Sequence, residues 1–138
     1  MPGIYHNPRH PKQMRIAYIK PEDDKLRIIG MKDELSEWHK LIECNTIEAH
    51  VLIPGTNIMF VCDESGKLKD KYPNFYWGEY FHDVVVGTVA FCSRNGPEFD
   101  SLTNEQITLI NAYLTVNSYL TPMRKRKEII EIYDQRRS

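Results

Sequence analysis

Ile58-Met59-Phe60-Val61-Cys62 and Val84-Val85-Val86-Gly87-Thr88-Val89-Ala90-Phe91-Cys92 are the two apolar runs that organise this 138-residue chain. Both read as strands, because β-branched and aromatic residues suit a pleated, half-buried surface. The second run is almost continuously apolar, which predicts a central strand covered on both faces. Gly87 within it predicts a bulge or a close backbone approach. Between the runs lies a connector from Asp63 to His82, Asp-Glu-Ser-Gly-Lys-Leu-Lys-Asp-Lys-Tyr-Pro-Asn-Phe-Tyr-Trp-Gly-Glu-Tyr-Phe-His. At about twenty residues it far exceeds the usual four to six between elements of a compact domain, so it is expected to carry a function.

Working outward, Ile47 to Ile53 has strand composition, and Pro54-Gly55-Thr56-Asn57 supplies a turn that sets it antiparallel to Ile58–Cys62. Upstream, Met14 to Ile19 alternates, Pro21-Glu22-Asp23-Asp24 turns, and Leu26-Arg27-Ile28-Ile29 returns, giving a first hairpin. Asp33 is placed to cap a helix whose Leu35, Trp38, Leu41 and Ile42 recur at three- and four-residue spacing, with Asn45 as its end. Downstream, Ser93 to Pro97 reads as a loop. Thr103 followed by Gln106 makes a capping box before Ile107, Ile110, Tyr113, Leu114, Val116 and Leu120. Pro122 suits the first position of a further, highly charged helix carrying Ile129, Ile132 and Tyr133. The expected fold is therefore α+β: an antiparallel sheet of about five strands, mixed pairing being the alternative, with two helices on one face and an appended C-terminal helix. Residues 1–13 read as a flexible basic arm, 14–120 as a single domain, and 121–138 as the charged helix.

The net charge of −1 conceals an uneven distribution. Residues 1–20 carry four basic side chains and no acid, and residues 121–138 carry six basic and three acidic ones. Taking these from the chain's 18 basic and 19 acidic residues leaves 8 basic and 16 acidic between Pro21 and Leu120. An acidic body flanked by basic ends can mark contact with a polyanion, or two solvated tails that offset the body. Three cysteines, an odd number, two of them in the apolar runs, read as reduced thiols of a cytoplasmic protein. No apolar run approaches the roughly eighteen residues of a membrane span, and no signal-peptide segment opens the chain, so no membrane partner is expected.

Four constellations could carry chemistry. Cys44, His50, Cys62 and Cys92, with His39 or His82 as alternates, offer soft donors for zinc, but without a Cys-x-x-Cys pair and from separate elements. A cysteine, or Ser65, paired with His82 is the nucleophile reading, for which spacing supplies no oxyanion donor. No phosphate loop or dinucleotide fingerprint is present, so no cofactor is expected and the chain reads as non-enzymatic. Arg124, Lys125, Arg126 and Lys127, with Arg136 and Arg137, are the candidates for an anionic partner such as nucleic acid, or for docking on the acidic body. Asn74, Phe75, Tyr76, Trp77, Tyr80, Phe81 and His82 are the candidates for a protein interface. Acidic Glu79 and Asp83 beside them argue against phosphate proximity, and the alternative is that these rings fold the connector over the sheet.

From Met14 to about Tyr113 the chain resembles a domain-of-unknown-function family, numbered three-eight-four-six, of small phage and mobile-element proteins. The resemblance rests on Arg15-Ile16-Ala17-Tyr18-Ile19-Lys20-Pro21, Val61-Cys62-Asp63-Glu64-Ser65-Gly66-Lys67-Leu68, Pro73-Asn74, Val86-Gly87-Thr88, and Phe99 with Ser101-Leu102-Thr103-Asn104-Glu105-Gln106, in that order. It implies an accessory gene product in a bacterial cytoplasm and no particular reaction. Relatives among counter-defence genes make an inhibitor of a bacterial defence system the implied role. The expected partner is then a host or element protein, with nucleic acid as the alternative and a zinc-binding or thiol enzyme third.

Overall fold

The computed structural model describes residues 13–78 and 83–119. Eight strands and two helices follow one another as β1 (Gln13–Ile19), β2 (Arg27–Lys32), α1 (Leu35–Ile42), β3 (Ile47–Val51), β4 (Ile58–Asp63), β5 (Pro73–Trp77), β6 (Asp83–Val86), β7 (Val89–Asn95), β8 (Glu98–Asp100) and α2 (Asn104–Asn117). The α+β class holds, and every strand pair is antiparallel. Six strands form the main sheet in the order β2-β1-β7-β4-β3, with β8 added beside β7, and β5 and β6 form a separate two-stranded sheet.

The run from Val84 to Cys92 is not one strand. Gly87 takes φ +77°, a left-handed conformation that strains any residue with a Cβ. There the chain leaves the small sheet as β6 and enters the main sheet as β7. Strand β7 is central, lying between β1 (Ala17 opposite Phe91) and β4 (Phe60 opposite Phe91), and its residues from Val89 to Ser93 are buried. The expected bulge is thus a corner between two sheets. The expected loop at Ser93 to Pro97 is mostly strand: it turns at Gly96, φ +63°, so that β8 can pair back on β7.

The two helices sit on opposite faces rather than together. Alternation along the strands decides this, since successive side chains point to opposite sides. Ile58, Phe60 and Cys62 of β4, Val89 and Phe91 of β7, and Ala17 and Ile19 of β1 pack with Ile107, Ile110 and Leu114 of α2. Met59 and Val61, Ala90 and Cys92, and Met14 and Ile16 pack with Trp38 and Ile42 of α1. A sheet apolar on both faces needs a cover on each, and one helix goes to either side.

Both helix starts follow local chemistry, though one differs from expectation. Thr103 Oγ1 accepts from the Gln106 N–H at 3.1 Å and Gln106 Oε1 from the Thr103 N–H at 2.9 Å, the reciprocal box expected. The N-cap of α1 is Glu34, without a side-chain cap, while Asp33 accepts the Trp38 indole N–H at 3.0 Å and so fixes the ring that anchors α1. That helix ends before Asn45, at Glu43, whose φ of 61° closes it. No helix among the described residues is long and apolar enough to cross a membrane. The segments before Gln13 and beyond Tyr119, including the expected C-terminal helix, lie outside the described residues.

Candidate functional site

The connector is organised by Asp63, the last residue of β4. Its side chain is buried, yet it is ionised chemistry: Oδ2 lies 2.8 Å from Lys69 Nζ and 2.9 Å from Lys71 Nζ, and Oδ1 accepts the Ser65 N–H at 2.8 Å. Burial alone would push this carboxyl up, but the hydrogen bonds from Lys69, Lys71 and the Ser65 backbone outweigh it and hold it below the ordinary carboxylate value. Lys71 also donates to the terminal carbonyls of α1, at 3.3 Å to Ile42 and 2.9 Å to Glu43, where the helix end is negative. One carboxylate and one lysine therefore tie the connector to β4 and to α1.

Between those ties the backbone makes a single helical turn. The Lys69 N–H donates to the Ser65 carbonyl, and the turn closes with Lys71 N–H to Gly66 C=O (3.1 Å) and Asp70 N–H to Lys67 C=O (3.2 Å), with Asp70 at φ 56°. This paired pattern around a left-handed residue is a Schellman ending. Gly66 is required by contact rather than by φ: a Cβ there would lie 2.9 Å from Val86 Cγ2, so its absence lets the turn seat on β6. Lys67 pairs with Asp83 at the start of β6. With both ends fixed, the turn leaves Leu68 89% and Tyr72 79% exposed.

On the Leu68 side, a pocket of about 120 Å³ opens between β3, β4, the turn and β6. His50 lies in it with its ring 5.1 Å from Trp77 and 5.3 Å from Phe60. Its Nε2 is 3.3 Å from Glu48 Oε2, and the Cys62 thiol donates to Glu48 Oε1 at 3.7 Å. Burial and the neighbouring carboxylate push the Cys62 thiol up to about 12, and burial raises Cys44 and Cys92 as well. A reactive cysteine needs the reverse, a lowered value, so none of the three is set up as a thiolate nucleophile. Tyr72 borders a shallower depression of about 390 Å³ lined by Pro21, Ile42, Gly87 and Thr88.

The candidates for a protein interface divide. Asn74 is 1% exposed and bridges the two sheets, donating to the carbonyls of Ile19 (3.0 Å) and Gly87 (2.8 Å). Phe75 is fully buried, in edge or tilted contact with Phe60, Phe91 and Tyr113. These two are core and cannot meet a partner, because the small sheet turns its inner face onto the α2 side of the main sheet. Tyr76 and Trp77 are half-buried; the Trp77 indole donates to the Val51 carbonyl at 3.1 Å and the Tyr113 hydroxyl to the Tyr76 carbonyl at 3.2 Å. Tyr80, Phe81, His82, Arg124, Lys125, Arg126, Lys127, Arg136 and Arg137 lie outside the described residues. The zinc candidates are parted by the sheet, with Cys62 and His50 on the α2 side and Cys44 and Cys92 on the α1 side. Among the described residues no group of three or more His, Cys, Asp or Glu is placed to hold a metal ion.

The residues that sequence reasoning passed over are Asp63, Lys69, Lys71, Leu68 and Tyr72. A signal for them exists: an acid ending an apolar strand, followed by lysines at 67, 69 and 71 and an isolated leucine at 68. The profile of a protein family described as "domain of unknown function (DUF3846)" matches residues 14–115. The chain belongs to this family. The DUF3846 match runs from β1 through nearly all of α2 and takes in the clamped turn. No curated protein and no solved structure matches the chain.

Proposed function

We propose that this DUF3846 protein is a non-enzymatic accessory protein of a phage or mobile element that binds a host or element protein through the clamped turn from Asp63 to Tyr72. The observation that carries the reading is the pairing of rigidity with apolar exposure. Leu68 and Tyr72 stand in solvent on a turn fixed at both ends by Asp63 and Lys71. Singly exposed apolar residues are ordinary, but a stiff support reduces the ordering cost that a binding loop otherwise meets on association. Aromatic and leucine side chains held in this way suit protein contacts, and a component of a bacterial defence system is the partner class that the family resemblance suggests. The raised thiols speak against cysteine nucleophile chemistry.

The reading is tested by capture from bacterial host cells, comparing the native chain with Leu68→Asp/Tyr72→Ala. A specific partner is expected to be enriched at least about tenfold by the native chain over the variant, a loss of about 1.4 kcal/mol or more in binding. The melting temperatures should agree, since neither side chain is packed. Equal recovery by both baits would remove the turn from the interface.

A further inference from the structure

We propose that β3 is a self-association edge at which two copies of this chain pair antiparallel about Ala49. This edge adjoins the clamped turn through the pocket that Glu48 and His50 share with Leu68, but the groups that pair are the outward backbone groups of β3, not the exposed side chains of the turn. Strand β3 is the last strand of the main sheet, and among the described residues no strand lies beyond it. Which of its backbone groups face outward follows from the register. The Leu52 N–H donates to the Ile58 carbonyl at 2.9 Å and the Glu64 N–H to the Thr46 carbonyl at 3.1 Å, so even-numbered residues direct their groups at β4. The unbroken register from Ile47 opposite Asp63 to Val51 opposite Met59 carries that parity through the strand. Ile47, Ala49 and Val51 therefore point their N–H and C=O groups away from the sheet. The Val51 carbonyl confirms the direction, because it accepts the Trp77 indole from outside.

An outward row of this kind is a template for another strand unless it is blunted. Ile47-Glu48-Ala49-His50-Val51 contains no proline, lysine or bulge, its one acid, Glu48, has a basic counterpart in the twofold pairing, and the Trp77 indole meets the edge at the Val51 carbonyl. The sequence is also complementary to itself. With Ala49 opposite Ala49, the twofold arrangement puts Ile47 of each copy opposite Val51 of the other on the α1 face, and Glu48 opposite His50 on the other face. The central pair is alanine, exposed and small, so no side chain obstructs the approach. Ala49 exchanges both backbone bonds with its counterpart. Ile47 and Val51 exchange theirs, the Val51 carbonyl using its second lone pair beside the Trp77 indole. A ladder of five residues is small for a protein interface, so the dimer is a weak, concentration-dependent one.

Analytical ultracentrifugation over a wide concentration series, with amide hydrogen exchange at Ala49, tests this. The expected result is a mass rising toward twice the monomer's as concentration rises, with Ala49 exchange slowing in step. Ala49→Pro removes an outward N–H that β4 does not use, and should leave the fold intact while weakening association at least about tenfold. His50→Glu sets like charges opposite Glu48 and should do the same. Glu48→Lys/His50→Glu restores opposite charges across the twofold as well as within the chain, where Glu48 and His50 also lie 3.3 Å apart, and should recover association; equal melting temperatures for His50→Glu and the double variant then place the effect between copies. A chain that stays monomeric at every concentration overturns the proposal. So does a dimer that survives Ala49→Pro and His50→Glu, since its contact must then lie elsewhere.

Discussion

Asp63 shows how one buried charge can shape a surface that it does not reach. Its carboxyl is held below the usual value in the folded state, so the stabilisation it gives is fully present above the unfolded value of about 3.9 and is lost as pH falls through the lower folded value. Asp63→Asn is expected to cost about 2–4 kcal/mol at neutral pH, because it leaves Lys69 and Lys71 facing an uncharged partner. Urea unfolding at pH 7 and again near pH 3 checks this: the gap between variant and native chain should narrow as pH falls below the unfolded value. A gap that persists unchanged would mean that the ion pairs contribute little. This residue was legible in the sequence only as the end of a strand. Its partners lie six and eight residues on, across a turn whose closure depends on a left-handed Asp70, and no periodicity records that.

At the scale of elements, the connector was legible by its length and its interior was not. Strand β5 is five residues with proline first and alternates little, since Asn74 and Phe75 are both buried while Tyr76 and Trp77 are half so. A buried asparagine reads as polar in sequence, and only the carbonyls of Ile19 and Gly87 explain its place. Trp77 now belongs to the packing of the hairpin, against His50 and Phe60. Trp77→Ala should lower stability by about 2–4 kcal/mol through the lost ring contacts, whereas Trp77→Phe should keep most of them and lose about 1 kcal/mol with the indole donor. Thermal denaturation of the two variants separates packing from hydrogen bonding. An unchanged melting temperature for Trp77→Ala would return the ring to the list of free interface residues. By contrast, β4, the hairpin of β3 and β4, and the capping box of α2 were readable because each is decided by neighbours in sequence: apolar runs, a Pro-Gly turn, and a threonine three residues before a glutamine.

For the whole molecule, fold class followed from composition and run lengths, but the placement of the helices did not. Alternation in β4 and β7 is masked because both of their faces are apolar, so sequence could not say that α1 and α2 take opposite sides. The corner at Gly87 was hidden for the same reason, since apolar residues continue through it. The position of β7 between β1 and β4 has a consequence for the order of events at the ribosome. Until β7 is made, the hairpin of β1 and β2 and the hairpin of β3 and β4 have no strand to join them, and each presents an unmated inner edge. The pairing of Ala17 with Phe91 is a long-range closure of the kind that slows folding. A nascent chain arrested at Val86 is expected to be digested as readily as an unfolded one, and one released after Tyr119, with β7 and α2 clear of the ribosome, to resist protease. Resistance already at Val86 would show that the first half folds alone. From the end of β4 until β7 is complete, then, this protein is two sticky hairpins waiting for one late strand, and that interval is when a chaperone would have most to hold.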